Sequence, residues 1–477
     1  MVHSKLFLFR RIIVGLLLLS NNWATAQKNN TPNIIVILTD DLGYGDVKAF
    51  YPKSKIPTPQ IDRLASEGMR FTDAHSGSAY CSPTRYGILT GRYAWRTSLR
   101  KGVLQPYDPP IIARDRLTLP ELLRQQGYST ACIGKWHLGW NWPMKDGQPD
   151  FSRPISDGPT TRGFDYYFGT DVPNYPPYCF IENDRTVGIP SDSQLVKKMP
   201  ASYVLRYKGP AVPDWEPTEI LPKIGQRAVR YIKDHAKDKK PFFLYFTLTS
   251  PHEPIAPSKE WQGRSGINPV ADFIMETDSV VGAVVAAVRK NKLNKNTLII
   301  FTSDNGHAPY TGLKPLLDAG HNPSGPFRGY KGDSWEGGHH IPFIAIWPGK
   351  IKPGTVNSNV ICLTDLMATC AEVVGIRMPA NAGEDSYSIL PGFLSSTSGP
   401  TRESIIHQGG DGSLSIRKGP WKLIVPIKSG SARQLYNLSL DTSEEKDVAV
   451  ENPDIVRQLY TLMEKCVSEG RSTPGPR

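Results

Sequence analysis

Apolar residues in this chain gather into short unbroken runs, and four of those runs stop at polar or ionisable residues. NIIVILTDD, residues 33–41, is continuous from Ile34 to Leu38 and ends at Asp40 and Asp41. A run of this kind predicts a strand buried on both faces, as in a parallel sheet. STACIGKWH, residues 129–137, ends at Lys135 and His137. PFFLYFTLTSPHEP, 241–254, ends at His252, and NTLIIFTSDNGH, 296–307, ends at Asp304, Asn305 and His307. IPFIAIWPG, 341–349, reads as a further strand without such an end.

Helical periodicity fills the gaps. TPQIDRLASEGMRFT, 58–72, places Ile61, Leu64 and Ala65 on one face. TLPELLRQQG, 118–127, reads as a helix stopped by Gly127. Strands alternating with helices predict the α/β class: a large mixed, mostly parallel sheet sandwiched by helices. In such sheets ligands bind beyond the carboxyl ends of the strands. Four distant segments therefore deliver Asp, Lys, His and Asn to one edge.

Residues 144–217 are rich in Pro, Tyr and Asp and have little periodicity, so they are expected to form an excursion over the sheet edge. Tyr175, Tyr178 and Trp215 lie in it, as candidates for stacking on a ligand or for buried packing. From about Ile376 the character changes. SLSIRKGPWKLIVP, 413–426, predicts two antiparallel strands around a Lys-Gly-Pro turn, and IVRQLYTLMEKCVSEG, 455–470, a terminal helix. The expected organisation is a main domain over 27–375 and a smaller α+β subdomain with a short antiparallel sheet over 376–477.

The first residues read differently. KLFLFRRIIVGLLLLSNNWATAQ, 5–27, has basic residues, an apolar stretch from Ile12 to Leu19, and Ala-Thr-Ala before Gln27. That is the pattern of a signal peptide over 1–26. The apolar stretch is short for a membrane span, and no later segment offers one. No cysteine stands at the cut to carry a lipid. The mature chain is expected to be exported, periplasmic or secreted.

Composition narrows the partners. The chain has 477 residues and a formal net charge of +11, part of it from Lys5, Arg10 and Arg11. An excess of positive charge suits an anionic substrate or surface. No basic repeat with interleaved aromatics is present, which argues against nucleic acid. The six cysteines, Cys81, Cys132, Cys179, Cys362, Cys370 and Cys466, are not spaced as a disulfide framework.

The chemistry follows from residue type. Asp40, Asp41, Asp304 and Asn305 are hard oxygen donors, which favour calcium or magnesium over zinc. Arg85, Lys135, His137, His252, Lys331 and His307 are candidate cations and proton donors for an anionic tetrahedral group.

Cys81-Ser82-Pro83-Thr84-Arg85 resembles the C-x-P-x-R signature of the formylglycine-dependent sulfatases, and SPTRYGILTGRY, 82–93, continues that pattern. The likeness extends over nearly the whole mature chain. NIIVILTDDLGYGD, GKWHLG, PHEP, FTSDNG and YKGDSWEGGHHIPF resemble the family's site segments, and RKGPWKLI and QLYNLSLDTSEEKDVA its C-terminal sheet and following turn, in family order.

The resemblance implies an alkaline-phosphatase-like fold, one calcium ion and a Cys81 oxidised to 3-oxoalanine (Cα-formylglycine). The oxidation would be carried out by a formylglycine-generating or anaerobic sulfatase-maturating enzyme. Asp40, Asp41, Asp304 and Asn305 match the calcium ligands. Residue 81 matches the nucleophile and a further metal contact. Arg85 matches the group that positions it, Lys135 and Lys331 the sulfate-binding lysines, His137 the partner of the formylglycine hydroxyl, and His252 the acid at the leaving oxygen.

The family acts on aryl, steroid and carbohydrate sulfates. Export, basic charge and the Pro/Tyr-rich rim favour a sulfated poly- or oligosaccharide of algal or matrix origin. His307, His321 and Arg328 are the candidates for reading its hydroxyls or a uronate. The alternatives are an arylsulfatase, a phosphoester or phosphonate hydrolase on the same fold, and a sulfoglycan-binding protein without activity.

Overall fold

The computed structural model describes residues 31–195, 207–395, 397–398, 402–428 and 430–474. The signal peptide expected over 1–26 lies outside the described residues. Among the described residues no helix is long and apolar enough to cross a membrane.

The chain begins with strand β1 (Asn33–Thr39), helix α1 (Pro59–Glu67), strand β2 (Met69–Phe71) and helix α2 (Cys81–Thr90). Helix α3 (Leu119–Gln125), strands β3 (Ser129–Lys135) and β4 (Tyr166–Thr170) and the short strands β5 (Ile181–Glu182) and β6 (Arg185–Thr186) follow. Then come helix α4 (Ile220–Asp234), strand β7 (Phe242–Thr247), helix α5 (Pro269–Lys290), strands β8 (Thr297–Ser303), β9 (Phe343–Ile346) and β10 (Thr355–Asn357), and helix α6 (Leu366–Val373).

These strands make one ten-stranded sheet in the order β10-β2-β9-β8-β1-β7-β3-β4-β5-β6. Its centre, β8-β1-β7-β3-β4, is parallel throughout. Every residue of β1, β7 and β8 is buried, as the unbroken apolar runs require. Helices pack in two groups, α1 and α4 against α5, and α2 and α3 against α6. Helix α1 buries Ile61, Leu64 and Ala65, the face its periodicity predicts. Burying Ile61 and Leu64 is worth about 1.5–3 kcal/mol each. Helix α3 opens on Thr118, whose hydroxyl accepts from the Glu121 amide at 3.3 Å, and the chain turns at Gly127 with φ 83°.

Register sets the functional edge. Thr39 pairs with Ser303, Leu38 with Thr247, and Thr247 with Gly134. The residues that follow these strands, Asp40, Asp304, Lys135 and the turn to His252, therefore leave the sheet at one level.

Strand β4 corrects the expectation for 144–217. That stretch is not only an excursion: Tyr166–Thr170 pairs parallel with β3 and extends the sheet. Its aromatic run Tyr166-Tyr167-Phe168 is a strand signal hidden in a Pro-rich context. The C-terminal sheet is also larger than the predicted pair. Strands β11 (Ile405–Gln408), β12 (Leu414–Lys418), β13 (Trp421–Val425) and β14 (Gln434–Asn437) form a four-stranded antiparallel meander, and helix α7 (Pro453–Ser468) packs on β12 and β13. The β12–β13 turn is Gly419-Pro420, with Gly419 at φ 56°. Its apolar cluster, with Ile416, Leu423, Leu435 and Leu459, is separate from the main core, to which Ile389 and Phe393 still belong.

Candidate active site

Cys81 is the first residue of α2, and all ten residues of that helix are buried. Arg85 stands one helical turn later and so shares its face. The Arg85 guanidinium donates to Asp304 Oδ2 through Nε (3.1 Å) and Nη2 (2.8 Å), and through Nη1 to the Lys135 carbonyl at 3.0 Å. One arginine thus ties the Cys81 helix to the ends of β8 and β3.

Behind Cys81 the carboxylates converge. Asp40 Oδ2 accepts from Lys135 Nζ at 2.8 Å, and Asp41 Oδ2 from Lys331 Nζ at 2.7 Å. Asp41 adopts φ 68°, which turns its amide toward Asp304 Oδ1 at 3.2 Å. Asn305 Nδ2 donates to Asp41 Oδ1 at 2.7 Å. Two buried oxygens, Asp40 Oδ1 and Asn305 Oδ1, have no hydrogen-bond partner. Ligand atoms of Asp40, Cys81 and Asp304 lie within 4.8 Å of one another, as do those of Asp40, Asp41 and His252.

Burial opposes ionisation of Asp40, but Lys135, His252 and Arg85 outweigh it and hold the carboxyl well below the usual range. Burial likewise opposes Asp41, and Lys331 and His252 pull it down. Burial and the Asp40 charge push Asp304 up, against the pull of Arg85. A divalent cation between these groups would relieve that repulsion and satisfy both orphan oxygens. The donor set fits a hard cation, with Asp40, Asp41, Asp304 and Asn305 as its holders.

Two histidines line the pocket onto which the thiol opens. His137 Nδ1 lies 3.3 Å from Cys81 Sγ, and its Nε2 lies 3.1 Å from the Leu104 carbonyl. The carbonyl only accepts, so Nε2 carries the hydrogen and Nδ1 faces the sulfur as a base. The His137 amide donates to Asp171 Oδ1 at 3.2 Å, fixing the residue at φ 55°. His252 is held in the same way, with Nδ1 2.7 Å from the Glu253 carbonyl, which leaves Nε2 3.9 Å from Asp41 Oδ2. Burial, reinforced by Lys135, lowers both imidazoles to about 3, so both are neutral bases near pH 7.

These groups open into a pocket of about 240 Å³ that shows Cys81, His137, His252 and Lys331 to a ligand. Tyr80, Gln105, Asn174, Tyr175, Tyr207, Glu253 and Tyr310 complete much of its wall. Among the described residues, Asn174 Nδ2 donates to Glu253 Oε2 at 3.2 Å, and the Tyr175 ring stands edge-on to His137. Most of these wall residues come from loops without periodicity. Glu253 had a signal, its place directly after His252 at a strand end.

The structure does not bring His307, His321 or Arg328 to that pocket. His321 Nε2 and His307 Nδ1 lie 2.8 and 3.4 Å from the two oxygens of buried Asp46. Arg328 donates to the Glu444 carbonyl at 2.6 Å and covers the Trp335 ring. Tyr178 and Trp215 are buried in packing rather than set on the pocket wall. All six cysteines are unpaired and buried.

Comparison with known proteins gives one consistent result. The family profile described as Sulfatase matches residues 32–376. The chain is 33% identical over 506 residues to an N-acetylgalactosamine-6-O-sulfatase of Bacteroides thetaiotaomicron, covering 95% of this chain and 97% of that protein. It is 31% identical over 401 residues to the N-acetylgalactosamine-6-sulfatase of Canis lupus familiaris, covering 82% of this chain and 71% of the relative. A solved Bacteroides thetaiotaomicron sulfatase, from work on that organism's metabolism of multiple glycosaminoglycans, superposes with a TM-score of 0.82 at 31% identity. It covers 92% of this chain and 100% of its own. Ps i-CgsB in complex with k-i-k-neocarrahexaose superposes at 0.73, with 26% identity and 93% and 94% coverage.

Proposed function

Since the chain belongs to the sulfatase family and is a sulfuric ester hydrolase of the carbohydrate sulfatase kind, we propose that it removes sulfate from a sulfated glycan, with a 6-O-sulfated N-acetylgalactosamine or galactose unit as the reacting sugar. One observation carries this reading. Cys81, with His137 at 3.3 Å, opens on the same pocket as His252 and Lys331, directly in front of the Asp40, Asp41, Asp304 and Asn305 donors.

In this reading those four residues hold a calcium ion, with residue 81 as a further contact. The ion supplies positive charge beside an anionic oxygen. Cys81 is oxidised to Cα-formylglycine by a formylglycine-generating or anaerobic sulfatase-maturating enzyme. As its hydrate that group supplies one hydroxyl for attack on sulfur and a second whose proton can be removed, which a serine lacks.

The remaining chemistry belongs to the chain's own side chains. Arg85, fixed by Asp304 and the Lys135 carbonyl, holds residue 81 in place. Lys331 and Lys135 exchange their carboxylate contacts for sulfate oxygens. His137 accepts a proton at Nδ1, the nitrogen that faces residue 81, and its Nε2–H stays anchored on Leu104. A sugar alkoxide leaves poorly, so it must be protonated, and His252 Nε2 is the nitrogen available for that transfer. Its basicity rises when substrate takes Lys331 away and brings negative charge. Residues 1–26 are read as a signal peptide that directs the enzyme to the periplasm or outside the cell.

Sulfate release from a panel of sulfated polysaccharides and oligosaccharides tests the reading. The protein is verified as converted at residue 81 and run beside Cys81→Ala. Release that vanishes in the variant supports it, and the responding glycan names the substrate. Turnover of aryl sulfates or phosphoesters alone overturns the carbohydrate assignment, and binding without release overturns the enzymatic one.

A further inference from the structure

The C-terminal sheet reaches the catalytic pocket through one turn. Strand β11 ends at Gln408, and the chain runs through Gly409-Gly410-Asp411-Gly412-Ser413 into β12. The turn closes on itself. The Gly409 amide donates to the Ser413 carbonyl at 2.8 Å, and Asp411 Oδ1 accepts from the Ser413 amide at 2.9 Å and its hydroxyl at 2.6 Å. An aspartate bonded to the amide two residues on holds a turn in one shape.

That turn is bonded to three segments of the active site. The Gln408 carbonyl accepts from the Ala79 amide and the Ser78 hydroxyl, both at 2.9 Å, just ahead of Cys81. The Gly410 amide donates at 2.8 Å to the carbonyl of Gly332, the residue after Lys331. The Gly410 carbonyl accepts from the Gly102 amide at 2.9 Å. Two residues beyond Gly102, the Leu104 carbonyl anchors His137 Nε2. The Gly332 amide closes the ring by donating to the Ala79 carbonyl at 2.9 Å. Through its two backbone groups, Gly410 therefore joins the segment that carries Lys331 to the segment that orients His137.

The space around this residue is taken. A Cβ on Gly410 would stand 2.4 and 2.7 Å from Cε2 and Cζ of Tyr80, and one on Gly332 would stand 3.1 Å from the Tyr80 hydroxyl. The Tyr80 ring, on the pocket wall one residue before Cys81, thus lies against both glycines. A side chain at 410 must displace that ring or break the bonds to Gly332 and Gly102.

We propose that Gly410 is a positioning residue of the catalytic pocket. It sets the spacing between Lys331 and the His137 anchor, and it seats Tyr80. The inference rests on the roles read above for Lys331 and His137. Groups that hold sulfate oxygens and accept a proton must keep their mutual geometry, and a displacement of about 1 Å can cost about a hundredfold in rate. Lys331 meets the same anionic oxygens in the product, so moving it also weakens binding of inorganic sulfate.

The test is Gly410→Ala, verified as converted at residue 81 and assayed on the substrate that the panel shows to react fastest. Its kcat/KM per converted molecule is expected to fall about tenfold or more. Competitive inhibition by inorganic sulfate is expected to weaken about threefold or more. Gly419→Ala strains the β12–β13 turn at φ 56° but meets no atom within 4 Å, so it controls for general disturbance of this sheet and should leave both readings unchanged. Tyr80→Leu removes the ring edge that the new methyl group strikes, and in that background Gly410→Ala is expected to cost less. Should Gly410→Ala not accumulate folded, Ser413→Ala, which frees the turn from Asp411 and Ser334, decides by the same two readings, with a smaller fall expected. Both readings unchanged in the folded variant, or an equal loss in Gly419→Ala, overturn the positioning role. A fall in kcat/KM with sulfate inhibition unaltered overturns the link to Lys331. Absence of sulfate release by the unaltered enzyme from every substrate overturns the reading of the pocket instead, before any variant is compared.

Discussion

The Sγ of Cys81 lies 3.3 Å from Nδ1 of His137, and the opposite nitrogen of that ring is anchored on the Leu104 carbonyl. The tautomer is thereby fixed with a base toward residue 81. His137→Ala is expected to lower kcat by about 10²–10⁴ while the chain stays folded. Steady-state sulfate release with matched circular dichroism checks this. A kcat within a few-fold of the unaltered enzyme removes His137 from the proton-transfer step.

The orphan oxygens of Asp40 and Asn305 predict a metal requirement. Dialysis against a chelator is expected to abolish activity and added calcium to restore it. Asp40→Asn removes one negative ligand and is expected to weaken calcium binding by about tenfold or more. Calorimetric titration of the metal-stripped chain measures both affinities, and equal affinities would take Asp40 out of the ligand set.

Gly134 precedes Lys135 at φ 119°, and a Cβ there would stand 1.7 Å from the Thr247 carbonyl oxygen. Both the space and the backbone angle exclude a side chain. Gly134→Ala must push β3 from β7 and carry Lys135 away from Asp40. The expected outcome is a loss of about 3 kcal/mol or more, or failure to accumulate folded protein. Urea unfolding checks it, and a midpoint near that of the unaltered protein refutes the tight approach.

Asp278 on α5 accepts from the Gln60 and Ile61 amides at 3.0 and 2.8 Å, which docks the first turn of α1. Burial pushes its carboxyl up to about 6 from the ordinary aspartate value of 3.8. The native state therefore keeps a proton that the unfolded chain has lost. This contribution is complete below the unfolded value and disappears as pH rises through about 6, a cost of about 3 kcal/mol. Asp278→Asn lacks the titration, so its stability relative to the unaltered protein should rise between pH 4 and pH 7. Urea midpoints at the two pH values measure the change, and a pH-independent difference would falsify the assignment.

The sequence disclosed the site's depth better than its walls. Unbroken apolar runs marked β1, β7 and β8, the segment after the Gly127 stop marked β3, and parallel register then required Asp40, Lys135, His252 and Asp304 to leave the sheet together. Strand β4 was concealed because Pro and Asp around Tyr166–Thr170 mask a short aromatic run. Gln105, Asn174 and Tyr207 reach the pocket on loops, whose paths depend on tertiary contacts rather than on local periodicity. His307 and His321 gave the opposite error. Nearness to the site segments suggested ligand contact, yet both are buried against Asp46 and serve to hold the loop after β1. Position along a strand tells which edge a side chain reaches, not whether it faces the cavity or the interior.

The burial of α2 also bears on when the proposed conversion of Cys81 could take place. Cys81 is 2% exposed, at the bottom of a cleft too small to admit another protein, on a helix whose ten residues are all enclosed. An enzyme that modifies this thiol must grasp the surrounding chain in extended form, so it has to act before the sheet closes over the segment. Completion of the fold is then a deadline. If activity needs the formylglycine proposed for residue 81, molecules that pass it with the thiol intact are well folded and inert, and the fraction of working enzyme in a preparation records a race between modification and folding.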